Sequence, residues 1–142
     1  MQLPVAWSAW WRRTFGPKTL GQRGEAAAAR FLKRLGYKII ARGSHIRRGE
    51  IDLIAVDGRT IVFVEVKTRV SHDAGHPADA VDRNKQERLT RLAMVYLKRH
   101  HLLEHSSRFD VVAVTWPAGQ RRPKIEHFQN AFEPVGRGQM FY

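Results

Sequence analysis

The sequence contains no cysteine. This excludes a disulfide framework, a thiolate zinc site, an iron–sulfur cluster and a cysteine nucleophile. No stretch approaches the roughly 18–20 apolar residues that a membrane-spanning helix needs. The apolar opening, residues 1–11, is followed by Arg12 and Arg13, whereas a secretory signal carries its charges first. We therefore expect a cytoplasmic protein with no integral membrane segment.

Acidic residues are also scarce. The 142 residues include 25 Lys plus Arg but only 13 Asp plus Glu, a formal charge of +12, and residues 1–49 hold eleven of the cations and one of the acids. Such an excess attracts polyanions, of which nucleic acid is the commonest and an anionic membrane surface the alternative. Because 43% of the residues are apolar, the chain has the composition of a folded domain. We expect DNA as the partner, with RNA left open.

The chain divides into three parts. Residues 1–20 read as a basic arm with Trp7, Trp10 and Trp11, which could stack on bases, lie on lipid or pack onto the domain itself. Residues 21–132 form the expected single domain, and residues 133–142 a C-terminal tail.

Hydrophobic periodicity predicts the element order α-β-β-β-α-β. A one-faced helical pattern, with Ala28, Phe31, Leu32 and Leu35 in its stripe, predicts a helix over 24–35, and a second helix is predicted over 78–100, with Pro77 at its first turn. Residues 42–48 read as a basic connector and 70–78 as a loop, while 124–132 fit either a strand or a short helix. Strands are predicted over 37–41, 50–56, 60–69 and 109–116.

The two central strands are separated by Asp57-Gly58, a strong hairpin signal. Strand alternation places Glu65 and Lys67 on one face of the second strand, and Glu50, Asp52 and Ile54 on one face of the first. A hairpin loop with an even residue count puts Asp52 on the face of Glu65. A four-residue loop makes them direct neighbours and a two-residue loop makes them diagonal.

Two carboxylates and a lysine are unfavourable in a sheet of Val, Ile and Phe unless they are paired or hold a metal. Mg²⁺ or Mn²⁺ takes carboxylate, water and phosphate oxygens, which Asp52 and Glu65 could supply in part. Lys67 could then orient or deprotonate a water that attacks a phosphodiester, or stabilise the charge that develops on phosphorus. The alternative is a salt-bridged sheet face in a nucleic-acid-binding module that has no catalytic activity.

Two helical residues point to the same place. Glu25 lies on the apolar stripe of the first helix, either as a charge stabilised by the helix N-terminus or as a third metal-ligand carboxylate. Lys85 lies on the inward stripe of the second helix, where it could hold the nucleophilic water or a substrate phosphate, or extend its ammonium to solvent.

Other polar residues have simpler interpretations. His100, His101 and His105 read as solvated residues at a helix end, since no third ligand has metal-site spacing. Asp110 alternates with Val112 and Val114, which predicts a partner for an arginine such as Arg108 or Arg69.

The chain resembles the bacterial YraN-type family within the PD-(D/E)xK restriction-endonuclease-like superfamily, and it is similar to Holliday-junction resolvases. The residues that carry the resemblance are Gly24-Glu25 with Ala28, Gly36-Tyr37, GEIDLIAVDG over 49–58, VFVEVKTR over 62–69, Gly75-x-Pro77 with Ala80-Val81, Lys85, and RFDVVAV over 108–114.

The resemblance covers about residues 20–132 and implies a restriction-endonuclease-like α/β fold, a mixed sheet flanked by helices. It also implies a nuclease site at Asp52, Glu65 and Lys67, assisted by Glu25 and Lys85, with branched or flapped DNA as substrate in repair or recombination and a homodimer as the assembly. Gly43 and His45 stand where relatives carry Asn and Arg.

Overall fold

A computed structural model describes residues 18–46, 49–71 and 81–136. Most of the predicted arm, the end of the basic connector, most of the 70–78 loop with Pro77, and the end of the tail lie outside the described residues. The predicted division into arm, domain and tail therefore stays a prediction.

The described residues form an α/β fold, as predicted. In chain order the elements are helix α1 (Leu20–Arg34), strands β1 (Lys38–Ile46), β2 (Gly49–Asp57) and β3 (Thr60–Arg69), helix α2 (Arg83–Arg99), and strands β4 (Ser107–Thr115) and β5 (Lys124–Phe132). The segment 124–132, which the sequence left between strand and short helix, is a strand.

One mixed sheet has the strand order β1-β2-β3-β4-β5. All neighbours are antiparallel except β3 and β4, which are parallel. A parallel pair requires a crossover, which α2 provides between those two strands. None of the described helices combines the length and apolar character needed to cross a membrane.

Helix α1 begins four residues before the predicted Gly24. Thr19 is its N-cap: the Thr19 side chain accepts from Gln22 N at 3.2 Å, and the Gln22 side chain accepts from Thr19 N at 3.0 Å. This reciprocal capping box starts the helix earlier than its apolar stripe does. Leu35, predicted in that stripe, is the C-cap and is 54% exposed.

Helix α2 begins later than the predicted residue 78. Asp82 caps its N-terminus and accepts a hydrogen bond of 2.8 Å from Lys85 N. The capping carboxylate fixes the first turn, and the apolar stripe Leu89, Leu92, Ala93 and Leu97 is buried.

Strand β1 is longer than predicted. Residues 42–46, interpreted as connector, continue the strand and pair with β2, from Arg42 opposite Leu53 to Ile46 opposite Gly49. Their polar composition hid the strand, because β1 lies at the edge of the sheet and has one half-solvated face.

The core consists of two layers, one on each face of the sheet. Val62, Val64 and Val66 pack with the buried residues of α1, whereas Ile61 and Phe63 pack with those of α2. This confirms the predicted alternation along β3.

Candidate functional site

The β2–β3 hairpin has the register that the site requires. Asp57 is opposite Thr60 and Leu53 is opposite Val64, where the paired residues end. Continuing the same register by one residue on each strand brings Asp52 level with Glu65. The connection is thus a two-residue turn, residues 58–59, and its register makes the two positions direct neighbours. The prediction that a two-residue loop places them diagonally is wrong, because the pairs Asp57–Thr60 and Val56–Ile61 belong to the same register.

Strand β2 departs from simple alternation at Asp52. Ile51 and Ile54 both pack with the α2-side core, while Leu53 between them packs with the α1-side core. The prediction that strict alternation places Glu50, Asp52 and Ile54 on one face is thus wrong, because the alternation is interrupted between residues 51 and 53.

The physical reason is a side-chain hydrogen bond at the end of the ladder. Oδ2 of Asp52 accepts the N–H of Val66 at 2.9 Å. In a continuing ladder, a main-chain carbonyl of β2 would accept this N–H. The carboxylate takes that place, and the strand changes face there.

Two lysines converge on the second carboxylate. Glu65 is 8% exposed, and its Oε1 atom contacts Lys85 Nζ and lies 3.8 Å from Lys67 Nζ. The convergence of Lys85 from α2 on Glu65 and Lys67 was predicted, and the structure places the three together. The alternative of an ammonium extended to solvent is wrong, because Lys85 is tied to a buried carboxylate.

Burial and Glu65 act on the carboxyl group of Asp52. Burial, followed by repulsion from Glu65, raises the pKa of Asp52 to about 7, against a smaller opposing effect of the Val66 hydrogen bond. A divalent cation between the two groups would remove this repulsion.

The two lysines shift in opposite directions. Burial, together with the neighbouring Lys85, lowers the pKa of Lys67. For Lys85 burial acts in the same direction, but the contacts with Glu65 and Lys67 outweigh it and raise the pKa. Lys85 is therefore the fixed cation of the pair, and Lys67 is the one that gives up a proton more readily.

Glu25 approaches from α1. It is the sixth residue of the helix, beyond the first turn where the helix dipole acts, so the interpretation as a helix N-terminal charge is wrong. Burial, then repulsion by Glu50 and Glu65, raises the pKa of Glu25. Glu25 also contributes to the raised pKa of Asp52, so its charge is felt at the site.

A close contact between Gly24 of α1 and Thr68 of β3 holds Glu25 near the site. A Cβ atom on Gly24 would lie 2.8 Å from Thr68 Cβ, closer than real Cβ atoms approach. Glycine thus lets α1 lie against β3 next to Lys67.

The donor set fits a hard divalent cation held by two side chains. Among the described residues, no three His, Cys, Asp or Glu side chains are close enough together to hold an ion. Mg²⁺ commonly takes one or two carboxylates and completes its shell with water and phosphate oxygens. Asp52 and Glu65 suit that arrangement, with Glu25 beyond them.

The comparison with protein-family models places all five site residues inside one match. The model described as uncharacterised protein family UPF0102 matches residues 24–114. The chain belongs to the UPF0102 family. This is the YraN-type family that the motifs predicted.

Several UPF0102 relatives are highly similar. A UPF0102 protein of Rhodopirellula baltica is 56% identical over 120 residues, which cover 82% of this chain and 72% of the relative. One of Symbiobacterium thermophilum is 50% identical over 115 residues, 81% of this chain and 97% of the relative. One of Geobacter metallireducens is 47% identical over 116 residues, which cover 82% of this chain and 93% of the relative.

A second polar cluster in this UPF0102 chain lies on the α1 side of the sheet. Asp110 is fully buried and accepts from Arg108 Nε at 3.0 Å, which confirms the predicted arginine partner. It also bonds His127 Nε2 at 2.8 Å and Asn130 N at 3.0 Å. Sequence reasoning missed these two residues because it did not pair β5 with β4.

The histidines near the end of α2 lie at the surface. His100, His101 and His105 are exposed, and the described residues place no metal-binding group around them.

Proposed function

We propose that this chain is a divalent-metal-dependent endonuclease that hydrolyses DNA phosphodiester bonds. The observation that carries the proposal is the juxtaposition of the half-buried Asp52 and the buried Glu65, two carboxylates that repel each other, with Lys67 beside them. A stable sheet gains nothing from such a pair, because repulsion between the carboxylates opposes folding. The arrangement is useful once a cation and a phosphate occupy it.

Asp52 and Glu65 are the residues that would hold Mg²⁺ or Mn²⁺. The ion, when bound, would supply Lewis acidity toward a phosphate oxygen and acidify a bound water. Hydrolysis joins the water oxygen to phosphorus, breaks one P–O ester bond and passes a proton to the leaving oxygen, so no covalent enzyme intermediate is needed.

The two lysines have different roles in this proposal. Lys67, with its lowered pKa, orients the attacking water and accepts its proton. Lys85 holds the Glu65 carboxylate in place and keeps its positive charge, so it is a positioning residue. Glu25 adds negative charge behind the ion-binding carboxylates.

Branched or flapped DNA is the proposed substrate class, within repair or recombination, and the cut of paired strands would be made by a homodimer. This part of the proposal rests on the similarity to resolvases, and the net charge of +12 supports a polyanionic substrate.

One observation favours a second candidate, a nucleic-acid-binding protein without catalysis. The contacts of Glu65 with Lys67 and Lys85 compensate its charge within the protein itself. A salt-bridged sheet face of this kind could serve structure alone.

Cleavage of end-labelled DNA separates the two candidates. Duplex, single-stranded, flapped and four-way-junction DNA and a single-stranded RNA are incubated with Mg²⁺, Mn²⁺ or EDTA. The nuclease cuts one of them in a metal-dependent manner, and Glu65→Gln abolishes cutting but not binding. Binding without cutting in either metal would favour the second candidate.

A further inference from the structure

The side chain of Arg23 lies over the indole ring of Trp116. Its guanidinium carbon is 4.1 Å from the ring centroid. Arg23 is an exposed residue of the first turn of α1, and Trp116 directly follows β4 and packs partly against the α1-side core. The stacking holds a planar cation in one orientation at the protein surface.

The charge of this arginine is not used within the described part of the protein. There, the side chain of Arg23 makes no ion pair and no hydrogen bond beyond its contact with Trp116. Arg108 shows the contrast, since it bonds Asp110, Asp57 and Tyr37. Arg23 is thus oriented while its N–H donors stay available to an external acceptor.

The pair lies at the end of the sheet that carries the candidate site. Trp116 N donates to Arg69 O at 2.8 Å, and Arg69 follows Lys67 by two residues on β3. The end of β3 that bears Lys67 therefore leads directly to Trp116.

The adjoining loop adds further positive charge. Trp116 Nε1 donates to Gln120 O at 2.9 Å, and this bond folds the loop back onto the indole. Arg121 and Arg122 follow Gln120 in the sequence, and both are exposed. Neither residues 18–24 nor residues 116–125 contain an acid. These two segments are therefore basic.

We propose that Arg23, Trp116, Arg121 and Arg122 form a strand-binding surface that holds an unpaired stretch of the DNA substrate beside the cleavage site. A guanidinium stacked on an indole offers a flat face to a base and N–H donors to a phosphate, the two contacts that unpaired strands make with proteins. The inference rests on the proposed nuclease function. The family match covers residues 24–114, so neither Arg23 nor Trp116 lies within it.

The surface is tested with full-length protein in EDTA, so that binding is measured without cleavage. Fluorescence anisotropy compares a labelled single strand with a blunt duplex for wild type, Arg23→Gln, Trp116→Leu and Arg59→Gln. Arg59 is a matched control, because it is an exposed cation in the turn at the other end of β3. Arg23→Gln and Trp116→Leu are expected to weaken single-strand binding about tenfold and duplex binding less, whereas Arg59→Gln changes it about twofold at most.

Two further readouts separate strand contact from a structural role. Arg23→Gln should lower the slope of log affinity against log salt by about 1, as expected for one lost phosphate contact. In a variant with Trp7, Trp10 and Trp11 changed to Phe, the remaining fluorescence comes from Trp116 and should be quenched by the single strand. This variant also serves if Trp116→Leu does not fold.

The outcomes distinguish the surface from the nuclease. Equal affinities for Arg23→Gln and Arg59→Gln, with no quenching of Trp116, would overturn the surface even if wild type cuts DNA. A selective loss of single-strand affinity in Arg23→Gln, with no cutting in any metal, would support the strand-binding surface and overturn the nuclease function. A wild-type protein without DNA affinity would overturn both.

Discussion

Oδ2 of Asp52 accepts a 2.9 Å hydrogen bond from the main-chain N–H of Val66, the residue between Glu65 and Lys67. This single contact ends the regular pairing of β2 and β3 and fixes one carboxylate of the candidate site against the strand that carries the other. The bond stabilises the ionised form of Asp52, but burial and Glu65 outweigh it.

The stability of the metal-free protein should therefore fall as the pH rises through the range in which Asp52 ionises. The pKa of this group is raised from its ordinary 3.8 to about 7, so the folded state binds the proton more tightly than the unfolded state does. Stability from the protonated form is lost between these two values, by roughly 1–3 kcal/mol.

Urea denaturation in EDTA at several pH values measures this effect. Asp52→Asn, which keeps an acceptor for Val66 N–H, should have a flatter profile and exceed wild type in stability at pH above about 7. Glu104→Gln, an exposed carboxylate variant in the loop before β4, should follow wild type. Parallel profiles for wild type and Asp52→Asn would contradict the raised pKa.

If the protein cuts DNA, substitution of Lys67 and substitution of Lys85 should change different kinetic parameters. Lys67→Gln removes the group placed next to the attacking water, so the cleavage rate at saturating metal should fall at least about 100-fold. Lys85→Gln releases Glu65, so its main effect should be on the metal concentration needed for half-maximal rate.

Initial rates over a metal titration measure both quantities. Lys98→Gln, an exposed lysine near the end of α2, is the control. A Lys67→Gln enzyme as fast as this control would remove Lys67 from the chemistry.

Helix α1 should tolerate an added methyl group at one glycine and not at another. Gly24→Ala places Cβ against Thr68, so the helix must move and stability should fall by about 1–3 kcal/mol. Gly21→Ala, on the same helix, meets its nearest atom only at 4.0 Å and should be neutral or slightly stabilising.

Thermal or urea unfolding of the two variants provides the comparison. The double variant Gly24→Ala with Thr68→Gly removes the opposing side chain and should regain part of the loss. Equal effects of Gly24→Ala and Gly21→Ala would show that the contact does not set the helix position.

The buried Asp110 cluster should matter for stability alone. Burial raises the pKa of Asp110, but hydrogen bonds from His127, Arg108 and Asn130 outweigh it and lower the pKa. Arg108→Leu leaves this fully buried carboxylate without its cation and should cost about 3 kcal/mol.

Urea denaturation at neutral pH tests this against a surface pair. Arg83→Gln breaks the exposed pair with Glu87, 3.9 Å apart, and should change stability by no more than about 0.5 kcal/mol. Similar losses for both variants would refute a special role of the buried pair.

The central hairpin and its carboxylates could be predicted because they depend on local rules. Asp57-Gly58 marks the turn, and counting residues from it gives the observed pairs as far as Leu53 and Val64, one position short of Asp52 and Glu65. The stripe of α2 placed Lys85 on the correct side for the same reason.

The remaining features depend on contacts between distant parts of the chain. The face change at Asp52 arises where the ladder ends, and the Asp110 contacts with His127 and Asn130 need the pairing of β4 with β5. The stacking of Arg23 on Trp116 joins two residues that are far apart in the sequence, one in the first helix and one after the fourth strand. No periodicity in the sequence encodes such contacts.

Whether Asp52 holds a catalytic metal is decided by the Mn²⁺ dependence of DNA cleavage by wild type, Asp52→Asn and Glu104→Gln, measured on the DNA structure that wild type cuts best. Wild type and Glu104→Gln are expected to cut at equal rates, and EDTA is expected to stop both. Asp52→Asn should bind the DNA at least as tightly but cut it at least about 100-fold more slowly. Metal-dependent cutting by Asp52→Asn at the wild-type rate would show that Asp52 does not hold a catalytic metal.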